Sequence, residues 1–129
     1  MNMGKGGFQF AAAHLIPGLM VDFEKNYLSR YTPCDNMNKD ELSEALAICH
    51  VEFIIIHPYR EGNGRLGRLL VTVMALQARM PALEFAVLEN EKDRYIGAIH
   101  AGHSGDYASM TQIFSEILDF SLQQASVND

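Results

Sequence analysis

At 129 residues the chain is long enough for one hydrophobic core and too short for a comfortable second, so a single domain spanning 1–129 is expected. Apolar residues make up 48% and charged residues 20%, a globular composition that excludes a disordered or low-complexity chain. A net charge of −6 with only 10 Lys plus Arg excludes a general basic surface, so no nucleic-acid partner is expected.

The two cysteines, Cys34 and Cys49, are too few for a disulfide framework and lie in no metal-ligand spacing, which reads as free thiols in a reducing compartment. The apolar run 53–56 is far below membrane-spanning length, and the N-terminus lacks a charged-then-apolar export signal. The expectation is a soluble, cytoplasmic protein without a membrane partner; a secreted effector exported without a cleaved signal would look the same.

In chain order, residues 1–7 are Gly-rich and lead into the alternating Phe8, Gln9 and Phe10, read as one arm of a β-hairpin flap over about 5–14. Ile16, Met20, Phe23 and Tyr27 recur at helical spacing with Pro17 in the first turn, predicting a helix that ends at Thr32 and Pro33. Asn38 and Glu41 form a capping box that opens a second helix, with Leu42, Ala45, Leu46, Cys49, Phe53 and Ile56 on one face. Pro58 stops it at His57.

A third helix, with Leu66, Leu69, Leu70, Val73, Met74 and Gln77 at helical spacing, is expected over 64–80 and ends at Pro81. A fourth is capped by Asn90, carries Tyr95, Ile96 and Ile99, and leaves Gly102 beyond its end. Asp106 caps a fifth, striped by Met110, Ile113, Phe114, Ile117 and Leu118. The fold class is therefore mainly α, a bundle of about five helices with a short flap. The second and third helices must be neighbours, since a short connection joins adjacent elements.

The stretch 57–68, HPYREGNGRLGR, concentrates the chemistry. The first amides of a helix beginning near Asn63 have no intrahelical acceptor and point outward with the positive end of the dipole, which suits an anion. Gly62 and Gly64 let that anion touch the main chain, and Asn63 tolerates unusual dihedrals while offering donors. Arg65 and Arg68 leave the same side of the first turn, where they can fork onto phosphate oxygens. Glu61 beside them makes sense as a ligand of Mg²⁺ bridging those phosphates, and His57 can take a proton from an alcohol. Together these are the parts for hydroxyl attack on a nucleotide phosphorus.

Each part has a blander reading. A His before Pro is often a helix-end corner, Gly-Asn-Gly is most often a turn, and the arginines could be solvated or paired with Glu61. Gly62, Gly64 and Gly67 also spell G-x-G-x-x-G after the apolar run 53–56, the outline of a dinucleotide-binding fingerprint. Against that reading, Pro58 and its neighbours separate the run from the first glycine, and the run itself continues a helical stripe.

The stretch resembles the signature of the Fic family: His, Pro, Phe, any residue, Asp or Glu, Gly-Asn-Gly-Arg, two free positions and Arg. His57, Pro58, Glu61, Gly62, Asn63, Gly64, Arg65 and Arg68 all match, and Tyr59 replaces the usual Phe. The likeness extends over most of the chain, from the flap and Ile16-Pro17 start through 44–50 to Tyr95 and the turn at Gly105, Asp106 and Tyr107. The resemblance implies a protein adenylyltransferase that moves AMP from ATP with Mg²⁺ to a Ser, Thr or Tyr hydroxyl and releases pyrophosphate. It implies His57 as general base, Glu61 as the Mg²⁺ ligand, Gly62, Asn63 and Gly64 as the anion cradle, and Arg65 and Arg68 on the β- and γ-phosphates. The target protein would bind by adding a strand to the flap. By their place in the chain, Asn90 and Tyr95 are candidates for an adenine pocket.

The related Doc branch carries a lysine where this chain has Gly64 and phosphorylates its target, so a Doc-like phosphotransferase is an alternative that Gly64 argues against. A catalytically silent nucleotide- or protein-binding module is another, disfavoured because His57 is kept. The string with which many members inhibit themselves, Ser or Thr, three free positions, Glu, then Gly or Asn, does not occur in these residues. Inhibition is thus expected from a separate, antitoxin-like chain or from an upstream part, and the Gly-rich start fits a domain without N-terminal helices.

Overall fold

The computed structural model describes residues 4–5, 8–9, 13–56 and 62–127, with side chains from His14 onward. In chain order the elements are β1 (Gly4–Lys5), β2 (Phe8–Gln9), a 3₁₀ turn (Ala13–Leu15), α1 (Ile16–Phe23), a wide π-turn (Glu24–Leu28), α2 (Ser29–Tyr31), α3 (Lys39–Ile56), α4 (Asn63–Gln77), α5 (Ala86–Asn90), α6 (Lys92–His103) and α7 (Ala108–Val127). The fold is mainly α, as the periodicities predict. β1 and β2 pair antiparallel, with Gly4 opposite Gln9 and Lys5 opposite Phe8. Most of the flap expected over about 5–14 lies outside the described residues.

The bundle is organised around α3. Its start carries the expected capping box: Glu41 N–H donates to Asn38 Oδ1 at 2.8 Å, and Asn38 N–H donates to Glu41 Oε1 at 3.1 Å. The sequence predicts one apolar face, yet the structure buries the helix on all sides, adding Ala47, Ile48, Val51 and Ile54 to the expected stripe. The reason is that α1, α4, α6 and α7 all pack against it, so from Ala45 onward no residue of the helix is fully exposed, and its exposed residues are Lys39, Asp40, Glu41 and Glu44 at its start. Met110, Ile113, Phe114, Ile117 and Leu118 of α7 supply the largest apposed stripe, as predicted. A hydroxyl donated by Tyr107 to Glu52 at 2.6 Å ties the start of α7 to α3.

Several boundaries differ from the sequence expectations. The first helix changes pitch at Glu24–Leu28 and resumes as α2, instead of running unbroken to Thr32. The third ends at Gln77 because Arg79 turns left-handed (φ 65°) and Met80 N–H reaches back to the Ala75 carbonyl at 3.0 Å. Asn90 closes the short α5, which has too few residues to show a period, and α6 starts only at Lys92. The apolar run 53–56 is the last turn of α3, so no strand leads into the glycines and the dinucleotide fingerprint falls away.

Gly102 lies inside α6, not beyond it, because it faces Val51: a Cβ there would stand 2.7 Å from Val51 Cγ1 and 3.0 Å from Cγ2. Gly97, on the same helix, has nothing within 4 Å of such a Cβ. Gly102→Ala should therefore lose about 1–2 kcal/mol from overpacking. Gly97→Ala should gain about 0.5–1 kcal/mol from helix propensity. Urea unfolding of both variants checks the contrast, and a gain in both would contradict the close approach of α6 to α3.

Candidate functional site

The site is built where the end of α3 meets the beginning of α4. The two helices touch at Gly67, where a Cβ would fall 3.0 Å from Ile54 Cδ1 and 3.1 Å from His50 Cε1. A larger residue would force Ile54 or His50 to give way, so glycine suits that approach, which brings the chain ends at Ile56 and Gly62 to the same side of the bundle. The residues 57–61 that join them, with His57 and Glu61, lie outside the described residues.

Gly62 precedes α4 in the left-handed conformation (φ 82°), which side chains rarely adopt. No side chain caps the helix, and the first intrahelical bond runs from Leu66 N–H to the Gly62 carbonyl at 2.9 Å. The amides of residues 63–65 come before that bond and are those that helical geometry leaves without an intrahelical acceptor. Asn63 is 4% exposed, so it sits inside the turn while Gly64 and Arg65 are open to solvent.

Both arginines fold back toward this end of the helix. Arg65 Nη2 lies 3.2 Å from where a Cβ of Gly62 would be, and Arg68 Nη1 lies 3.4 Å from where a Cβ of Gly64 would be. Each guanidinium thus lies beside a glycine backbone, with the closer approach at Gly62. With no acidic residue in the first turn, two cations and the helix dipole act together on one spot. The described residues the sequence singles out, Gly62, Asn63, Gly64, Arg65 and Arg68, lie together within the first two turns at the start of α4.

Beneath that turn is a residue the sequence reading passes over as part of the approach to the motif. His50 is fully buried on α3; its Nδ1 lies 3.2 Å from the Gly67 carbonyl and its Nε2 2.6 Å from the Tyr95 hydroxyl. A carbonyl can only accept, so Nδ1 carries the proton and Nε2 accepts from the tyrosine O–H. Burial is the main force that pushes the imidazole down to about 4; the bond to Gly67 opposes this, and the Arg68 charge adds to it. Burial raises the Tyr95 phenol. Of the two adenine-pocket candidates, Tyr95 gives its hydroxyl to His50, and Asn90 is exposed at the end of α5. The signal available in sequence was Gly67, a glycine inside a helix that a turn does not require.

Residues 1–75, more than half of the chain, match the Fic/DOC family. The chain belongs to that family. This Fic/DOC chain is 26% identical over 81 residues to Protein adenylyltransferase fic-1 of Caenorhabditis elegans, covering 63% of the chain and 16% of that protein. It is 22% identical over 119 residues to Protein adenylyltransferase Fic of Drosophila erecta, covering 88% and 23%. Among solved structures it resembles BepC, a VirB-translocated effector protein of Bartonella tribocorum with bound AMPPNP, at TM-score 0.73 and 25% identity over 90% of this chain and 55% of that one. It also resembles a Fic domain containing signaling protein from Bacteroides thetaiotaomicron, at TM-score 0.76 and 21% identity over 95% and 50%. The chain thus spans under a quarter of those curated relatives and about half of the solved ones.

The buried neutral imidazole has a consequence for stability. In the unfolded chain His50 binds a proton near pH 6.5, whereas in the folded Fic/DOC domain it does so only near 4. Its contribution is complete above pH 6.5 and declines as pH falls toward 4, by up to about 1.4 kcal/mol per pH unit. Urea unfolding at pH 7.5, 5.5 and 4.5 should show the wild type losing more stability than His50→Gln across that window; parallel losses would mean that the imidazole is not held neutral.

Proposed function

We propose that this chain transfers AMP from ATP to a Ser, Thr or Tyr hydroxyl of a target protein and releases pyrophosphate. The observation that carries the reading is the 62–68 stretch, where a helix start with no acidic residue in its first turn and two guanidinium groups converge. Such a cradle fits a triphosphate: Arg65 and Arg68 each supply charge-assisted bonds worth about 1.5–3 kcal/mol to the β- and γ-phosphates, and the open amides hold the oxygens between them. The AMPPNP in BepC and the names of the curated relatives support it.

In this reading the target hydroxyl oxygen attacks the α-phosphorus, its proton passes to His57, and the bond from the α-phosphorus to the bridging oxygen breaks. His57 follows α3 directly in the sequence, at the end that Gly67 draws toward the phosphate turn. The α4 start has no carboxylate in its first turn, so Glu61 and the phosphates themselves would hold Mg²⁺, a donor set that this ion favours. Mg²⁺ would supply neutralisation of the charge on the departing pyrophosphate. The target would dock by strand addition along the flap, and restraint would come from a separate inhibitory chain.

Gly64 favours AMP transfer over transfer of the terminal phosphoryl group, because the resembling phosphotransferase branch carries a lysine at this position, whose side chain and charge would enter the cradle beside the Arg68 guanidinium. Incubation of a protein lysate with α-labelled ATP should label a protein, and His57→Ala should abolish labelling while ATP binding survives. Label appearing only from γ-labelled ATP would show phosphotransfer instead.

Arg68→Ala should weaken ATP binding about 10–100-fold and ADP binding much less, since the lost bond is assigned to the γ-phosphate. Calorimetric titration with each nucleotide decides, and equal losses would overturn that assignment.

A further inference from the structure

We propose that His50 is a positioning residue for the phosphate turn, a two-sided hydrogen-bond bridge that fixes the start of α4 against α3 and α6. The inference rests on reading the 62–68 turn as the phosphate site, and it assigns the residues that hold that site in place.

Three features make the bridge more than core filling. Both ring nitrogens are engaged, at 3.2 Å with Gly67 and 2.6 Å with Tyr95, so one imidazole joins three helices in a single tautomer. Gly67 is shaped for it, since a methyl there would stand 3.1 Å from Cε1 and 3.3 Å from Nδ1 of the ring. A leucine in place of His50 would fill similar space without two polar atoms to satisfy, so hydrophobic burial alone gives no reason for the imidazole.

The contact is also placed to matter for the turn. Gly67 precedes Arg68 and lies within one and a half turns of Gly62 on a continuous helix, so a shift at Gly67 moves the cradle with it. The Arg68 charge acts on both His50 and Tyr95, and it belongs to the residue that follows Gly67 in the chain. A neutral ring there leaves Arg68 free of repulsion. Tyr95 carries the restraint into α6, whose own fit against α3 is set by Gly102 and Val51.

The test uses three variants. Tyr95→Phe removes only the hydroxyl and should fold. His50→Asn keeps an N–H donor near the Nδ1 position while losing the link to Tyr95, and His50→Leu removes both bonds. Amide hydrogen exchange at Leu66, bonded to Gly62, is compared with exchange along α7, and ATP binding is measured by titration. His50→Leu should speed exchange at Leu66 about tenfold with α7 unchanged, and weaken ATP binding by a similar factor, with Tyr95→Phe and His50→Asn, which each keep the bond to Gly67, intermediate. Ring nitrogen shifts of wild-type His50 should report a protonated Nδ1 and a bare Nε2 at pH 7.

Equal acceleration at Leu66 and throughout α7, or none at Leu66, would reduce His50 to a general stability residue and overturn the proposal. The opposite tautomer would overturn it too. A wild-type chain that binds no ATP would sink the phosphate reading instead, by a separate observation: titration decides the site, and the exchange pattern decides the bridge.

Discussion

The approach of α4 to α3 at Gly67 is the constraint from which the site follows. Two helices joined by only six residues must pack as neighbours, but neighbours can meet at many rolls and spacings. Here the missing Cβ at Gly67 admits both Ile54 and the His50 ring to contact distance, which fixes the roll. Once it is fixed, Gly62 can take its left-handed turn, and Arg65 and Arg68, three and four positions beyond Gly62 and Gly64, fold back toward those glycines.

Charge then acts locally and not through the whole molecule. A net charge of −6 would repel a nucleotide at long range, yet α4 carries no acidic residue anywhere along its length. At physiological salt the screening length is about 8 Å, so an anion near the turn feels mainly the helix start, Arg65 and Arg68. The acidic side chains elsewhere have partners or solvent of their own: Glu116 forks onto Arg94, Asp119 meets Lys39, and Glu52 accepts from Tyr107. The acidic surface is thereby separated from the spot that would bind ligand.

The parts of this arrangement that were legible in the sequence are those encoded by neighbours in the chain. Asn38 and Glu41 satisfy one another across a single turn, and the stripe of α7 repeats without interruption, so both could be read directly. The chemical groups of the phosphate turn were legible for the same reason, since they fall within one loop and one helical turn. What escaped depends on contacts between distant residues. His50 meets Gly67 seventeen positions away and Tyr95 forty-five away, and nothing local distinguishes it from another member of the α3 core. Gly102 read as a helix stop because its partner, Val51, is on a different helix. The burial of α3 on every side could not be read either, because a stripe on one helix does not say how many neighbours will cover it.

The roll of α4 shows which consideration prevailed. By apolar area the helix would gain more by burying Leu66, Leu69, Val73 and Leu76, which recur at spacings of three and four and are 38–57% exposed. It buries Gly67, Val71, Met74 and Ala75 instead, a slimmer face, and leaves the larger side chains outward, each forgoing part of the roughly 1.5–3 kcal/mol that full burial brings. A roll that hid the leucines would carry Gly67 away from His50, leave the buried Nδ1 unpaired at about 1–3 kcal/mol, and turn Arg65 and Arg68 off the helix start. The close approach thus outweighs the larger apolar face, and the orientation that keeps His50 satisfied is the same one that gathers the cations over the glycines.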